Sequence, residues 1–176
     1  HEEKRWPHSG LVDDRAVIAA RNLPVPQGFN DKELEYLMEQ AVLPLAHDFT
    51  PQAVVITCGT DPLDGDPLSR LGLSNQALWG AVEQLVELTG RNVVLGGGGY
   101  NPWTLVRCWT GLWGRLSSRA IPGVLPLAAQ SYLQGLECDL VDEEDILADW
   151  ITTLADAPNH GPVRDEVRRC AEAVMA

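Results

Sequence analysis

The sequence is poor in positive charge, has no paired cysteines and contains no long apolar run. Lys and Arg total 13 against 25 Asp and Glu, a formal net charge of -12. So acidic a surface does not neutralise phosphates, which argues against direct nucleic-acid binding. It favours solubility first and, secondarily, attracts cationic substrates or basic tails. Cys58, Cys108, Cys138 and Cys170 are widely spaced and form no CxxC pair. Neither a structural zinc site of the usual spacing nor a disulfide framework is indicated, and a reducing, cytoplasmic setting is expected. No apolar run approaches the ~20 residues of a membrane span, and no leader is recognisable, so no membrane partner is expected. There is no HExxH pair and no GxSxG elbow, which leaves a zincin or a serine hydrolase without support. His8, His47 and His160 read as surface or locally satisfied residues.

What is present suffices for one ordinary domain: 176 residues, 45% of them hydrophobic, without repeats or low-complexity tracts. The opening HEEKRWPHSG has no periodicity and reads as a loop belonging to something upstream. Arg21 to Val25, bounded by prolines, predicts a short edge strand. Asn30 or Asp31 caps a helix whose apolar positions Leu34, Leu37, Met38, Ala41, Val42 and Leu45 recur at helical spacing to about Asp48.

Ala53 to Cys58 is a β-branched run with no polar alternation, the pattern of a strand buried on both faces of a parallel sheet. A loop dense in Gly, Pro and Asp follows over 59–67. A second helix starts at Ser74-Asn75 and is stopped by Gly90. Asn92 to Leu95 predicts another buried strand. Asn101 and Pro102 open a helix from Trp103 to about Leu116. Residues 119–140 read as an irregular connection with turns at Pro122-Gly123 and Pro126. Val141 to Leu154 and Pro162 to Val174 read as helices, the acids at 142–145 forming a solvated helix start. Strand and helix alternate three times, which implies a parallel sheet with helical crossovers.

In such sheets ligands bind beyond the carboxyl ends of the strands. Two loops leave those ends, one carrying Asp61 and the other Tyr100. Asp61, in a tight CGTD turn, is either an oxygen ligand for a divalent cation or the closer of an Asx-turn. Asp64 and Asp66 read as turn residues. The run Gly96-Gly97-Gly98-Gly99 permits close backbone approach but lacks the P-loop ending and the dinucleotide spacing. Tyr100 either donates a hydrogen bond to a developing oxyanion or packs on the sheet edge.

The segments VVITCGTDPLDGDPLSRLGLSN and VVLGGGGYNPWTLVRCWT together resemble the histone deacetylase and acetoin-utilisation family, which also includes acetylpolyamine deacetylases. RWPHSG and AARNLPVPQGFND resemble its bacterial members, so the likeness runs from His1 to about residue 118. It implies an arginase-like α/β fold, a parallel sheet flanked by helices, with residues 1–176 forming the C-terminal part of a single catalytic domain. It further implies one catalytic Zn2+ with Asp61 among its ligands. Tyr100 would hydrogen-bond the acyl carbonyl, Leu68 would form an apolar wall of the acyl-lysine tunnel, and Gly98 and Gly99 would line it. Arg107 and Trp109 would be structural. The implied activity is hydrolysis of acetyl-lysine or a small acetylated amine.

The family's paired histidines and its Asp-x-His ligands lie earlier than any segment here, and Val17-Ile18 stands where glycines are expected. The N-terminal half of the domain is therefore the expected partner, the isolated chain is expected to bind zinc weakly and to hydrolyse nothing, and the sheet is expected to expose an edge. Two other classes stand beside this one: a non-enzymatic module that completes or scaffolds a partner, and an arginase-like two-metal hydrolase, for which the required DxHxD-type runs are absent.

Overall fold

The computed structural model describes residues 1–5, 8–15 and 19–176. Trp6-Pro7 of the RWPHSG segment and Val17-Ile18 lie outside the described residues. Two strands, β1 (Val54–Cys58) and β2 (Asn92–Gly96), pair in parallel from Val54 opposite Asn92 to Cys58 opposite Gly96. The helix α3 (Asn75–Val86) connects them and α4 (Pro102–Leu116) follows β2. Ser74 caps α3 by accepting from the Ala77 N–H, and Asn101 caps α4 by accepting from Trp103 and Thr104. With Pro102 supplying a preset φ at the first position, these starts follow directly from the local sequence.

The helix predicted from Asn30 forms as α1 (Asp31–Leu37), a π-helical turn (Met38–Val42) and α2 (Leu43–Phe49). Asn30 and Glu33 make a reciprocal capping box at its start. Pro44 stands directly after the π turn, in the first turn of α2.

Three expectations about secondary structure fail. Arg21 to Val25 is no sheet strand. The Val25 N–H donates to His1 O and its carbonyl accepts from Glu3, so it forms only an isolated bridge with Glu2. Residues 119–140 are not irregular throughout, because Pro126 opens helix α5 (Leu127–Gln134). Leu133 of α5 is buried, and its carbonyl accepts from the Trp103 indole at 2.8 Å. The helix predicted over 141–154 breaks into a 3-10 turn (Glu143–Asp145) and the short α6 (Ala148–Thr152). Tertiary partners claim the groups a longer helix would need. Arg107 donates to Thr153 O, Asn75 donates to Leu154 O, and Leu125 N–H donates to Thr152 O. The final helix, α7 (Asp165–Met175), forms as expected.

The helices lie on one side of the sheet. Ile56 and Cys58 are buried there, α3 packs on β1, and a Cβ on Gly96 would sit 3.4 Å from the Trp109 ring of α4. Trp79 and Trp103 fill the centre of this core, with the Trp79 indole donating to Cys108 O at 2.8 Å. Gly111 leaves room for the Trp79 ring, since any Cβ there would collide with it. Polar ties fasten the C-terminal segment to this core. The Asp31 carboxylate accepts from Ser74 N, Ser74 Oγ and Asn159 N; Arg107 pairs with Asp156 at 2.8 Å; and Arg164 pairs with the fully buried Glu33 at 2.6 Å.

Among the described residues nothing covers the opposite face of the sheet. Val55, Val93 and Leu95 are 65%, 51% and 47% exposed, and Thr57 is exposed beside them. The sequence pattern predicts strands buried on both faces, whereas this chain buries only one.

Candidate functional site

Both strands end at the same edge, and the two loops leaving them cross-link. Thr60 N–H donates to Gly98 O at 2.6 Å. The Asp61 carboxylate lies against Gly59 and Gly98 so closely that a Cβ on Gly98 would collide with Oδ1. Gly98 is therefore glycine for clearance. Gly99, at φ +146° with its open side against the Thr60 side chain, tolerates no Cβ either.

A third residue ties these loops together. Asp66 is buried; its Oδ1 accepts from Leu68 N–H at 2.9 Å and its Oδ2 from Tyr100 N–H at 2.8 Å. Asn101 Nδ2 answers from the other side by donating to Gly65 O at 2.9 Å. One carboxylate thus fixes the backbone of both Leu68 and Tyr100. The first contact is the local turn closure expected of an aspartate two residues ahead. The second is long-range and was missed from sequence, although the GDPL motif marks the position.

Asp61, Leu68, Gly98 and Tyr100 line one cavity of about 650 Å³, whose remaining wall is largely apolar, Phe29 and Leu71 among it. The structure brings together four of the five residues singled out from the sequence. Gly99 lies behind the wall, against Thr60. Arg5 and Glu2 also reach the cavity; the Arg5 guanidinium donates to Leu68 O at 2.9 Å.

The electrostatics at the strand ends disfavour added negative charge. Burial, and then the charge of Asp66, raise the Asp61 carboxyl above its ordinary value, against the lowering effect of its own backbone N–H and of the amino terminus. Burial pushes the Cys58 thiol up to about 11, and that of Cys108 up to about 12. Both are neutral thiols at pH 7, packed as small apolar side chains rather than poised as nucleophiles. The acids at 142–145 are all exposed, away from this cavity.

A catalytic zinc needs about three protein ligands and an open position. Among the described residues no group of three or more His, Cys, Asp or Glu side chains is placed to hold a metal ion. Asp61 can contribute one oxygen, and Asp66 is committed to two backbone N–H groups. The described residues do not by themselves hold zinc.

Fold and site define a parallel α/β protein whose ligand cavity opens at the carboxyl ends of its strands. The family model described as "Histone deacetylase domain" matches residues 1–116. The chain belongs to the histone deacetylase family. Histone deacetylase 6 of Arabidopsis thaliana is 38% identical over 111 residues, covering 59% of this chain and 23% of that protein. Histone deacetylase 8 of Xenopus tropicalis is 27% identical over 125 residues, covering 69% and 34%. Among solved structures, an HDAC homolog from Aquifex aeolicus superposes with a TM-score of 0.91 at 33% identity, covering 100% of this chain and 49% of that one. An HDAC homolog complexed with SAHA gives 0.90 at 32%, with the same coverage. The chain thus spans about half the length of these solved structures and less of the curated relatives.

Proposed function

We propose that this chain carries part of the active site of a zinc-dependent deacetylase, an amide hydrolase acting on acetyl-lysine or a small acetylated amine. The observation that carries this is the single cavity onto which Asp61, Leu68, Gly98 and Tyr100 converge at the strand ends. The family match and the solved neighbour complexed with SAHA support a ligand site in this fold.

Zinc supplies Lewis acidity to such a hydrolysis when bound, and this chain offers it one candidate ligand. The chain's own residues have defined tasks. Asp61 offers a carboxylate toward the metal. Leu68, held by Asp66, walls the acyl side of the cavity. Tyr100 presents a hydroxyl to the acyl carbonyl oxygen, and a donor placed where charge develops is worth ~10²–10³ in rate. Residues 1–176 are then part of one catalytic domain in a cytoplasmic protein, a setting that the four free cysteines suit. The remaining ligands come from a partner segment corresponding to the domain's N-terminal half. On this reading the chain alone binds zinc weakly and is inactive.

The test is deacetylation of an acetyl-lysine peptide by the assembled domain. Tyr100→Phe is expected to lower kcat ~10²-fold or more with little change in KM, and Asp61→Ala to abolish both activity and stoichiometric zinc. Unchanged turnover in both variants would sink the reading.

A further inference from the structure

Leu68 lines the candidate cavity while 51% exposed, so neighbouring side chains do not pack it into place. Where that wall stands is decided by the backbone beneath it. Asp66 supplies one hold by accepting from Leu68 N–H. A second hold comes from 63 positions away. The Arg5 guanidinium donates to Leu68 O at 2.9 Å through Nη2, and its Nε lies 3.4 Å from the Glu2 carboxylate. The same Glu2 oxygen accepts from Arg70 N–H at 2.8 Å and from Ser69 Oγ at 3.5 Å. One ion pair thus grips three consecutive residues of the wall, and both of its members reach the cavity.

The pair is itself anchored. Glu3 N–H donates to Val25 O at 2.8 Å and Val25 N–H donates to His1 O at 2.9 Å, which fixes the backbone on either side of Glu2. The Glu2 side chain is 8% exposed and that of Arg5 40%. Glu2 is therefore a covered brace, and Arg5 is the arm that extends from it to Leu68. Behind the wall, Gly28 N–H donates to Arg70 O at 2.7 Å and Gly72 N–H donates to Phe29 O at 2.9 Å. The loop is held on both sides and has no direction in which to retreat as a unit.

We propose that Glu2 and Arg5 are positioning residues for the acyl wall, holding Leu68 in place and so making the site selective for a short acyl group. A pocket rejects a longer chain only if its wall does not yield. A fixed wall separates substrates that differ by one methylene by ~10-fold or more, and a wall free to move gives that discrimination up. The inference rests on the deacetylase reading above, but the clamp itself is measured apart from catalysis.

Two measurements test it. In the chain alone, Arg5→Ala is expected to raise amide exchange at Leu68 and Arg70 ~10-fold or more and to leave Ile56 unchanged. In the assembled domain, the ratio of kcat/KM on acetyl-lysine and butyryl-lysine peptides is expected to fall ~10-fold, carried by a gain on the butyryl peptide. General loss of structure produces no such gain. Glu2→Ala should lower the ratio as Arg5→Ala does, and Arg5→Lys, which keeps a donor for Leu68 O, should restore it. Unchanged exchange at Leu68 overturns the clamp. An unchanged ratio, or an equal loss on both peptides, overturns the selectivity. Hydrolysis of neither peptide by the parent, with exchange raised in the variant, leaves the clamp standing and removes the deacetylase reading instead.

Discussion

The two faces of the β1–β2 pair are built from the same strands and the same β-branched residue class, in opposite surroundings. On the helical side Ile56 and Cys58 are buried against α3, with the Trp79, Trp103 and Leu112 core beyond. That side is also tied by directional polar contacts: the Asn30–Glu33–Arg164 network, Asp31 with Ser74 and Asn159, and Asp156 with Asn75 and Arg107. Among the described residues the other side has neither cover nor ties. The contrast separates what this chain stabilises by itself from what its strands are shaped to meet.

The contrast is most directly broken by truncating one residue on each face. Ile56→Ala is expected to cost about 2–4 kcal/mol, whereas Val55→Ala should lie within ~0.5 kcal/mol of the parent chain. Urea unfolding of the two variants decides it, and equal losses would mean that the bare face is covered in the isolated chain.

A smaller effect is expected from the helical side's buried ion pair. Arg164→Ala should cost about 2–3 kcal/mol, at the low end for a buried pair because the guanidinium reaches solvent. This loss depends on pH. Burial pushes the Glu33 carboxyl up, but hydrogen bonds from the Arg164 side chain and backbone and from Asn30 outweigh it and hold the group below its ordinary value. A depressed carboxyl stabilises the fold fully above its unfolded value and ceases to do so as pH falls through the folded one. The gap between parent and variant should therefore close on acidification through that window, as followed by unfolding midpoints.

The smallest change concerns the strand-end loops. Asp66→Ala removes acceptors for Leu68 and Tyr100 N–H and should cost about 1–2 kcal/mol. It should also raise amide exchange at Tyr100 well beyond that at Ile56. A uniform rise across both would mean that the loops are held by global stability rather than by this carboxylate.

Much of the fold was legible because its signals are local. Ser74 and Asn101 cap helices through groups two or three residues away, and the β-branched runs mark the strands. What was missed depends on distant partners. Thr153 and Leu154 leave the helix because Arg107 and Asn75 claim their carbonyls. Val25 pairs with Glu2 instead of entering the sheet. The site divides in the same way. Asp61, Tyr100, Leu68 and Gly98 stand in recognisable motifs and do meet at one cavity, while the bond from Tyr100 N–H to Asp66 joins residues 34 positions apart.

The Asp66 tie has a mechanical consequence. With Leu68 N–H and Tyr100 N–H on one carboxylate, Asn101 on Gly65, and Thr60 on Gly98, the two loops have no independent hinge. A displacement of the Tyr100 backbone therefore pulls on the loop that carries Asp61 through these bonds. Adjustment to a ligand is left to the side-chain torsions of Leu68 and Tyr100, and the backbone gauge of this wall is a fixed dimension of the fold.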